Sequence, residues 1–402
     1  MKLPAQPSVP SIHDTHCDGP GLEHSTIPWP RYRSFYYRWL AEDGTKDVPL
    51  PPRVDLRGKT VLISGANSGI GKEAAYICAL WGAHVIIACR DPPPHEDHPE
   101  QVIDEFVARS HGIITNQLVE WWKVDFADLA SVKALGDRFI SSGRTLDLLF
   151  NNAGLNMKKF VQTMDGFELV NQVNYLAHVL LTYTLLPAMK NAKAPRIINT
   201  SSSFHYGGTL DFANFNAEKE VKLKKGDEQA VVAEMGEWYC DSKLKLAMWN
   251  KELQSRMSRS AEYRHVITHA IHPGYVASNV WRSGWLKQVP GPIQFLLNIG
   301  LKYLAIDSKQ GSLAMLYAAL LPERGIESLT APAAAPPKED VPERFTEQVG
   351  GRFYLRTQEH PTRPEIEDRT ARARLWNRTN EDIKAAKYGL DFILPGPLPG
   401  LK

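Results

Sequence analysis

Short apolar runs alternate with longer amphipathic stretches along most of this chain. Thr60-Val61-Leu62-Ile63 is an apolar run, the pattern of a strand buried on both faces, and Lys72-Glu73-Ala74-Ala75-Tyr76-Ile77 then opens a helical pattern. The pairing repeats. Strands are predicted over residues 59–64, 83–89, 118–125, 146–150, 196–201 and 266–271, and helices over 70–81, 101–110, 129–141, 165–190, 237–257 and 310–321. Residues 350–355 return to a strand-like pattern and 370–387 to a closing helix. Such alternation with short connections predicts an α/β fold, a doubly wound parallel sheet covered by helices on both faces. The chain contains no internal repeat.

Composition sharpens the outline. A chain of 402 residues with 43% hydrophobic content can bury a sizeable core. The expected organisation is a single domain over 56–387, an N-terminal extension over 1–55 and a C-terminal tail over 388–402. The extension is rich in proline, aromatics and charge; residues 29–40 (WPRYRSFYYRWL) suit a short helix in an arm packed on the domain, with a basic aromatic membrane toe-hold as the alternative. Residues 331–342 (APAAAPPKEDVP) are expected to form a flexible insertion. The net charge is +2, from 47 basic and 45 acidic residues, and carries no nucleic-acid footprint.

Cys17, Cys78, Cys89 and Cys240 lack metal-ligand spacing, so a reducing compartment and no metal are expected. His95 and His98 fall in an acidic, proline-rich stretch that reads as a solvated loop rather than a metal site. Residues 1–30 contain no signal-peptide core, and no apolar run approaches the ~20 residues of a spanning helix. A cytoplasmic protein is expected. Peripheral contact with endoplasmic reticulum or a lipid droplet stays open, because residues 285–306 read as a lid helix over a greasy pocket or, second, as an interfacial segment.

The candidate chemistry begins at Ser64-Gly65-Ala66-Asn67-Ser68-Gly69-Ile70-Gly71, between the first predicted strand and helix. Glycines permit close backbone approach, and a helix N-terminus offers free N–H groups to a pyrophosphate. Arg90 ends the second predicted strand, where an acid would grip a ribose 2′-hydroxyl; an arginine neutralises a 2′-phosphate, favouring NADP(H), with NAD(H) as the alternative. Asp125 ends the third strand and can accept from an adenine amino group, while Asp128 is the better cap for the next helix. Tyr239 and Lys243 are four apart on one predicted helix, where an ammonium would draw the phenol's pKa down.

The ordered set SGANSGIG, Asp125, Asn151-Asn152-Ala153-Gly154, Asn174, Thr200-Ser201-Ser202, Tyr239-x-x-x-Lys243 and His272-Pro273-Gly274 resembles the short-chain dehydrogenase/reductase family. ACR, INTSSSFH, YCDSK and HPGYVAS look like its retinol dehydrogenase-type branch. The resemblance covers roughly residues 57–385 and implies a single Rossmann-type domain holding cofactor and substrate together. It implies that Ser202, with Ser201 and Ser203 as neighbouring alternatives, holds the reacting oxygen. It makes Tyr239 the general acid/base and has Lys243 bind the nicotinamide ribose. Asn174 would bend its helix around a proton relay. Cofactor contacts are implied at Ser64, Gly65, Asn67, Ser68, Gly69, Ile70, Gly71, Arg90, Asp125, Asn152, Ala153, Gly154, Tyr239, Lys243, Pro273, Gly274, Val276 and Ser278. Ser64 and Ser278 stand where the family usually has threonine, so the hydroxyl is retained in both. A homodimer through the helices near 165–190 and 237–257 stays open.

The leading expectation is an NADP(H)-dependent oxidoreductase acting on the carbonyl or alcohol of a small lipophilic molecule. Reduction of a conjugated double bond and a non-catalytic, cofactor-bound scaffold at a membrane surface are the alternatives. The charged stretch between Ser202 and Tyr239 is expected to form an insertion beside the site.

Overall fold

The computed structural model describes residues 47–93, 96–157, 159–219, 237–276, 305–320, 349–360, 362–391 and 393–396. Eight strands form one sheet in the order β3-β2-β1-β4-β5-β6-β7-β8. They are β1 (Thr60–Ser64), β2 (His84–Cys89), β3 (Val119–Lys123), β4 (Leu148–Asn151), β5 (Arg196–Thr200), β6 (Ile267–His272), β7 (Arg352–Leu355) and β8 (Gln358–Glu359). All neighbours pair in parallel except β7 and β8. Strand order reverses between β1 and β4, and a crevice opens there at the carboxyl ends of the strands.

Alternate residues of the central strands feed two cores, because successive side chains leave a strand on opposite faces. Val61, Ile63, Leu148 and Phe150 face α1 (Gly69–Leu80), α2 (Pro99–Arg109) and α7 (Ser308–Leu320). Leu62, Leu149 and Ile197 face α3 (Leu129–Ser141), α5 (Ala177–Met189), α6 (Glu237–Ser258) and α8 (Arg369–Asp382). The doubly wound single domain expected from the alternation is what the sheet forms. Asp128 caps α3 by accepting from Ala130 N–H. The predicted helix 165–190 contains a departure: α4 (Leu169–Asn171) passes through a π turn, Gln172–Leu176, before α5 begins. The two-residue antiparallel strand β8 was not anticipated. It is too short to carry a period.

Helix α8 packs on α6 and reaches α5 through Trp376, the two helices through which a dimer was entertained. Trp376 lies 5.2 Å from the Tyr183 ring, and the Arg256 guanidinium lies 4.2 Å from the Trp376 ring. Glu252 accepts from Arg256 Nε at 2.7 Å and from Arg372 Nε at 3.2 Å, all three side chains being buried. These helices are therefore packed by the chain's own C-terminal segment. At the other end, Val48 and Pro49 bond to Gln310 and Tyr317 of α7.

Cys78, Cys89 and Cys240 are buried and unbridged. Among the described residues no helix is long and apolar enough to cross a membrane, and no cluster of metal-ligating side chains occurs. The readings of residues 29–40, 331–342 and most of 285–306 lie outside the described residues.

Candidate active site

A cleft of about 600 Å³ lies over the carboxyl ends of β1 to β6. The glycine turn forms one wall. Gly65 has φ +64, and a Cβ there would lie 2.8 Å from Ala153 Cα. Only glycine lets the turn and the segment after β4 approach so closely. Gly71 is packed in the same way: a Cβ would meet Asn152 Nδ2 at 2.5 Å and Gly65 O at 2.6 Å. Ser68 does not cap α1 with its side chain, and the first turn carries no acid. The helix therefore presents its N-terminal N–H groups and partial positive charge to the cleft.

The lining includes Gly65, Asn67, Ser68, Gly69, Ile70, Arg90, Asp125, Asn152, Ala153, Gly154, Pro273, Gly274 and Val276, together with Ser202, Tyr239 and Lys243. Ser64, Gly71 and Asn174 stand behind the lining, and Ser278 lies outside the described residues. Ser64 is a hub beneath the turn. Its hydroxyl accepts from Asn152 N at 2.8 Å and Ala153 N at 2.9 Å, and lies 3.0 Å from His178 Nε2. Asn152 Nδ2 returns bonds to Ser64 O and Gly65 O. Asn152 Oδ1 and Thr200 Oγ1, both buried in cleft-lining residues, have no partner among the described residues.

The three adjacent serines have different duties. Ser201 Oγ donates to Lys243 O at 2.9 Å, and Ser203 Oγ lies 3.2 Å from His272 Nε2. Ser202 Oγ accepts from Phe204 N–H, capping a 3-10 turn, and is the hydrogen-bond partner of the Tyr239 phenol. Lys243 Nζ lies 5.4 Å from the Tyr239 ring centroid and donates to Thr200 O at 2.7 Å.

The electrostatics differ from expectation. Burial pushes the Tyr239 phenol well above its ordinary pKa, opposed by the Ser202 hydrogen bond. Burial also brings Lys243 down to about 7. The ammonium was expected to lower the phenol. In the structure the shift at both groups comes from the loss of water, and the ammonium is not among the groups that move the phenol, so the phenol holds its proton at neutral pH.

Asn174 sits on the π turn. Its amide bonds to both main-chain groups of Leu155 and to Ser242 Oγ. Its carbonyl lies 3.3 Å from His178 Nδ1.

Around Tyr239, Phe160, Val170, Ala217 and Trp238 form a small buried cluster with Leu155, Met157 and Phe204 packed on it. These residues, His178 and Glu96 were not singled out in the sequence. Phe160 and Trp238 carried no periodic signal that marks a pocket wall, and Glu96 was absorbed into the solvated-loop reading.

A family model described as short chain dehydrogenase matches residues 59–220. Retinol dehydrogenase 11 of Mus musculus is 36% identical over 283 residues, covering 69% of this chain and 77% of that protein. Retinol dehydrogenase 13 of Mus musculus is 31% identical over 346 residues, covering 85% of this chain and 88% of that protein. A crystal structure of an uncharacterized protein from Mycobacterium Paratuberculosis shares the fold, with TM-score 0.55 and 24% identity over 84% of this chain and 98% of that one. The chain belongs to the short-chain dehydrogenase/reductase family of oxidoreductases, in its retinol dehydrogenase-like branch.

Proposed function

We propose that this chain is an NADP(H)-dependent oxidoreductase that interconverts a carbonyl and an alcohol on a lipophilic small molecule. The observation that carries the reading is the pairing of Ser202 with the buried Tyr239 phenol beside Lys243, in the cleft that α1 opens onto. The glycine cradle, the uncapped helix and the two unpaired buried oxygens suit a dinucleotide. Its pyrophosphate would lie at the α1 N-terminus, with Asp125 toward the base, Arg90 toward a 2′-phosphate, and Asn152 and Lys243 toward the nicotinamide ribose. When bound, the nicotinamide supplies or accepts the hydride.

The residues of this chain do the rest. Ser202 Oγ holds the substrate oxygen, and a phenol protonated at neutral pH is ready to deliver a proton to it in the reductive direction. Lys243 carries a positive charge through part of the neutral range and supports that transfer. Asn174 acts as a positioning residue, because both its amide hydrogens and one acceptor site of its Oδ1 are engaged by Leu155 and Ser242. The cluster of Phe160, Trp238 and Phe204 around Tyr239 favours an apolar substrate, as do the relatives named retinol dehydrogenases.

The test is NADPH consumption by the purified full chain with apolar aldehydes and ketones, with product analysis. An alcohol product is expected. A saturated carbonyl compound from a conjugated substrate would move the chemistry to double-bond reduction, and failure to consume NADPH with any substrate would defeat the reading.

A further inference from the structure

Glu96 belongs to the loop after β2, and its Oε1 lies 3.2 Å from Arg90 Nη2. Both residues line the cleft, and the Glu96 side chain is 24% exposed against 56% for Arg90. The neighbouring acids are engaged elsewhere. Asp91 pairs with Lys123 at 3.1 Å, and Asp97 with Lys72 at 3.3 Å. The described residues beside Glu96 are also anchored: Glu96 N–H donates to Pro93 O, Asn67 Nδ2 donates to Asp97 O, and the His98 ring packs edge-on against Trp121 at 4.9 Å. Glu96 is thus a carboxylate fastened to the guanidinium that a 2′-phosphate would need.

We propose that Glu96 is a specificity-determining residue that restrains the preference for 2′-phosphorylated dinucleotides and admits those with a free ribose diol. The proposal rests on the cofactor reading above. A 2′-phosphate competes with the Glu96 carboxylate for Arg90 and lies near a like charge. An unphosphorylated ribose meets a carboxylate that can accept its hydroxyl protons while Arg90 stays neutralised. Arg90 alone therefore overstates the selectivity for NADP(H), and the balance belongs to the pair.

The test is fluorescence titration of wild type, Glu96→Gln and Arg90→Ala with NADPH and NADH, backed by displacement with 2′,5′-ADP and 5′-AMP. The readout is the ratio of the two dissociation constants in one protein sample, which a partly unfolded fraction does not change. Glu96→Gln is expected to shift that ratio about five- to tenfold toward NADPH, and Arg90→Ala to shift it toward NADH. A Glu96→Gln ratio unchanged from a wild type that binds NADPH would overturn the role of Glu96 alone. A wild type that binds neither dinucleotide would overturn the cofactor reading and this inference together.

Discussion

Asn174 and Leu155 exchange a reciprocal pair of hydrogen bonds: Leu155 N–H donates to Asn174 Oδ1 at 2.8 Å, and Asn174 Nδ2 donates to Leu155 O at 3.0 Å. The same Nδ2 donates to Ser242 Oγ at 3.1 Å, one residue before Lys243. One buried amide thus ties the segment after β4, the π turn and α6 together. A Cβ on Gly154 would lie 3.3 Å from Asn174 Oδ1 and 3.6 Å from Lys243 Nζ, so little space separates these groups.

Asn174→Ala leaves the Leu155 main-chain groups without their partner in a buried setting. A loss of about 2–4 kcal/mol is expected by urea unfolding. Activity should fall further than in a distant variant of equal stability. Asn174→Ala with wild-type stability would show that the pair does not hold the segment.

The serines should separate by duty. Ser202→Ala is expected to lower kcat about a hundredfold or more, and Tyr239→Phe by about two to four orders of magnitude, with NADPH binding retained. Ser201→Ala removes a packing hydrogen bond to α6 and should cost about 1 kcal/mol with a smaller kinetic effect. Steady-state kinetics and equilibrium unfolding on the same samples check both. Equal kinetic losses at Ser201 and Ser202 would contradict the assignment.

Lys243 is brought to about 7 by burial, from an ordinary value of 10.5. Between those values the unfolded chain holds a proton at Lys243 that the native chain has released. The unfolded state therefore binds more protons, and this group makes stability rise with pH across that window. Lys243→Met should remove this contribution, up to about 1.4 kcal/mol per pH unit, from the pH dependence of unfolding free energy. Parallel curves for wild type and variant between pH 7.5 and 9.5 (roughly, within the window set by the shift) would show that the site does not titrate there.

Tyr239 bears on reaction direction. A phenol held well above its ordinary pKa stays protonated through the neutral range. The Tyr239 contribution to carbonyl reduction should then be flat with pH near neutrality, and a fall in that rate as pH rises through about 7 would report loss of the Lys243 charge. Alcohol oxidation, which needs the phenolate, should rise about tenfold per pH unit. Initial rates in both directions across pH 6.5 to 9 (roughly, below the ordinary phenol value) check it. A flat oxidation profile would place the titrating base elsewhere.

The C-terminal helix should act as a built-in partner for α5 and α6. Trp376→Ala is expected to cost about 3–5 kcal/mol through lost packing. Glu252→Ala should cost a similar amount, about 3–5 kcal/mol, because it removes the carboxylate that two buried guanidinium groups share. Light scattering should give the mass of one chain, since α5 and α6 are buried within the chain along most of their length. A stable dimer that survives dilution would require a different surface.

Much of the fold was legible because the central strands are buried on both faces. An apolar run such as Val61-Leu62-Ile63 carries its own signal, and the glycine turn marks where the first strand must hand over to a helix. The residues of the candidate site were legible as types in order. Their division of labour was not. Ser201, Ser202 and Ser203 are chemically identical in sequence, and only the placement of Lys243, Tyr239 and His272 separates them.

The chain order of glycines, apolar runs and Tyr239-x-x-x-Lys243 by itself determined the doubly wound sheet and the side of it on which chemistry gathers, because local periodicity and turn chemistry act over a few residues. Tertiary structure decided the rest. It buried Tyr239 and Lys243 deeply enough that desolvation sets the direction of both pKa shifts, and it brought Glu96 back onto Arg90. It also laid α8 across α5 and α6. Desolvation and charge pairing depend on what surrounds a group in space, and residues far apart along the chain supply those surroundings.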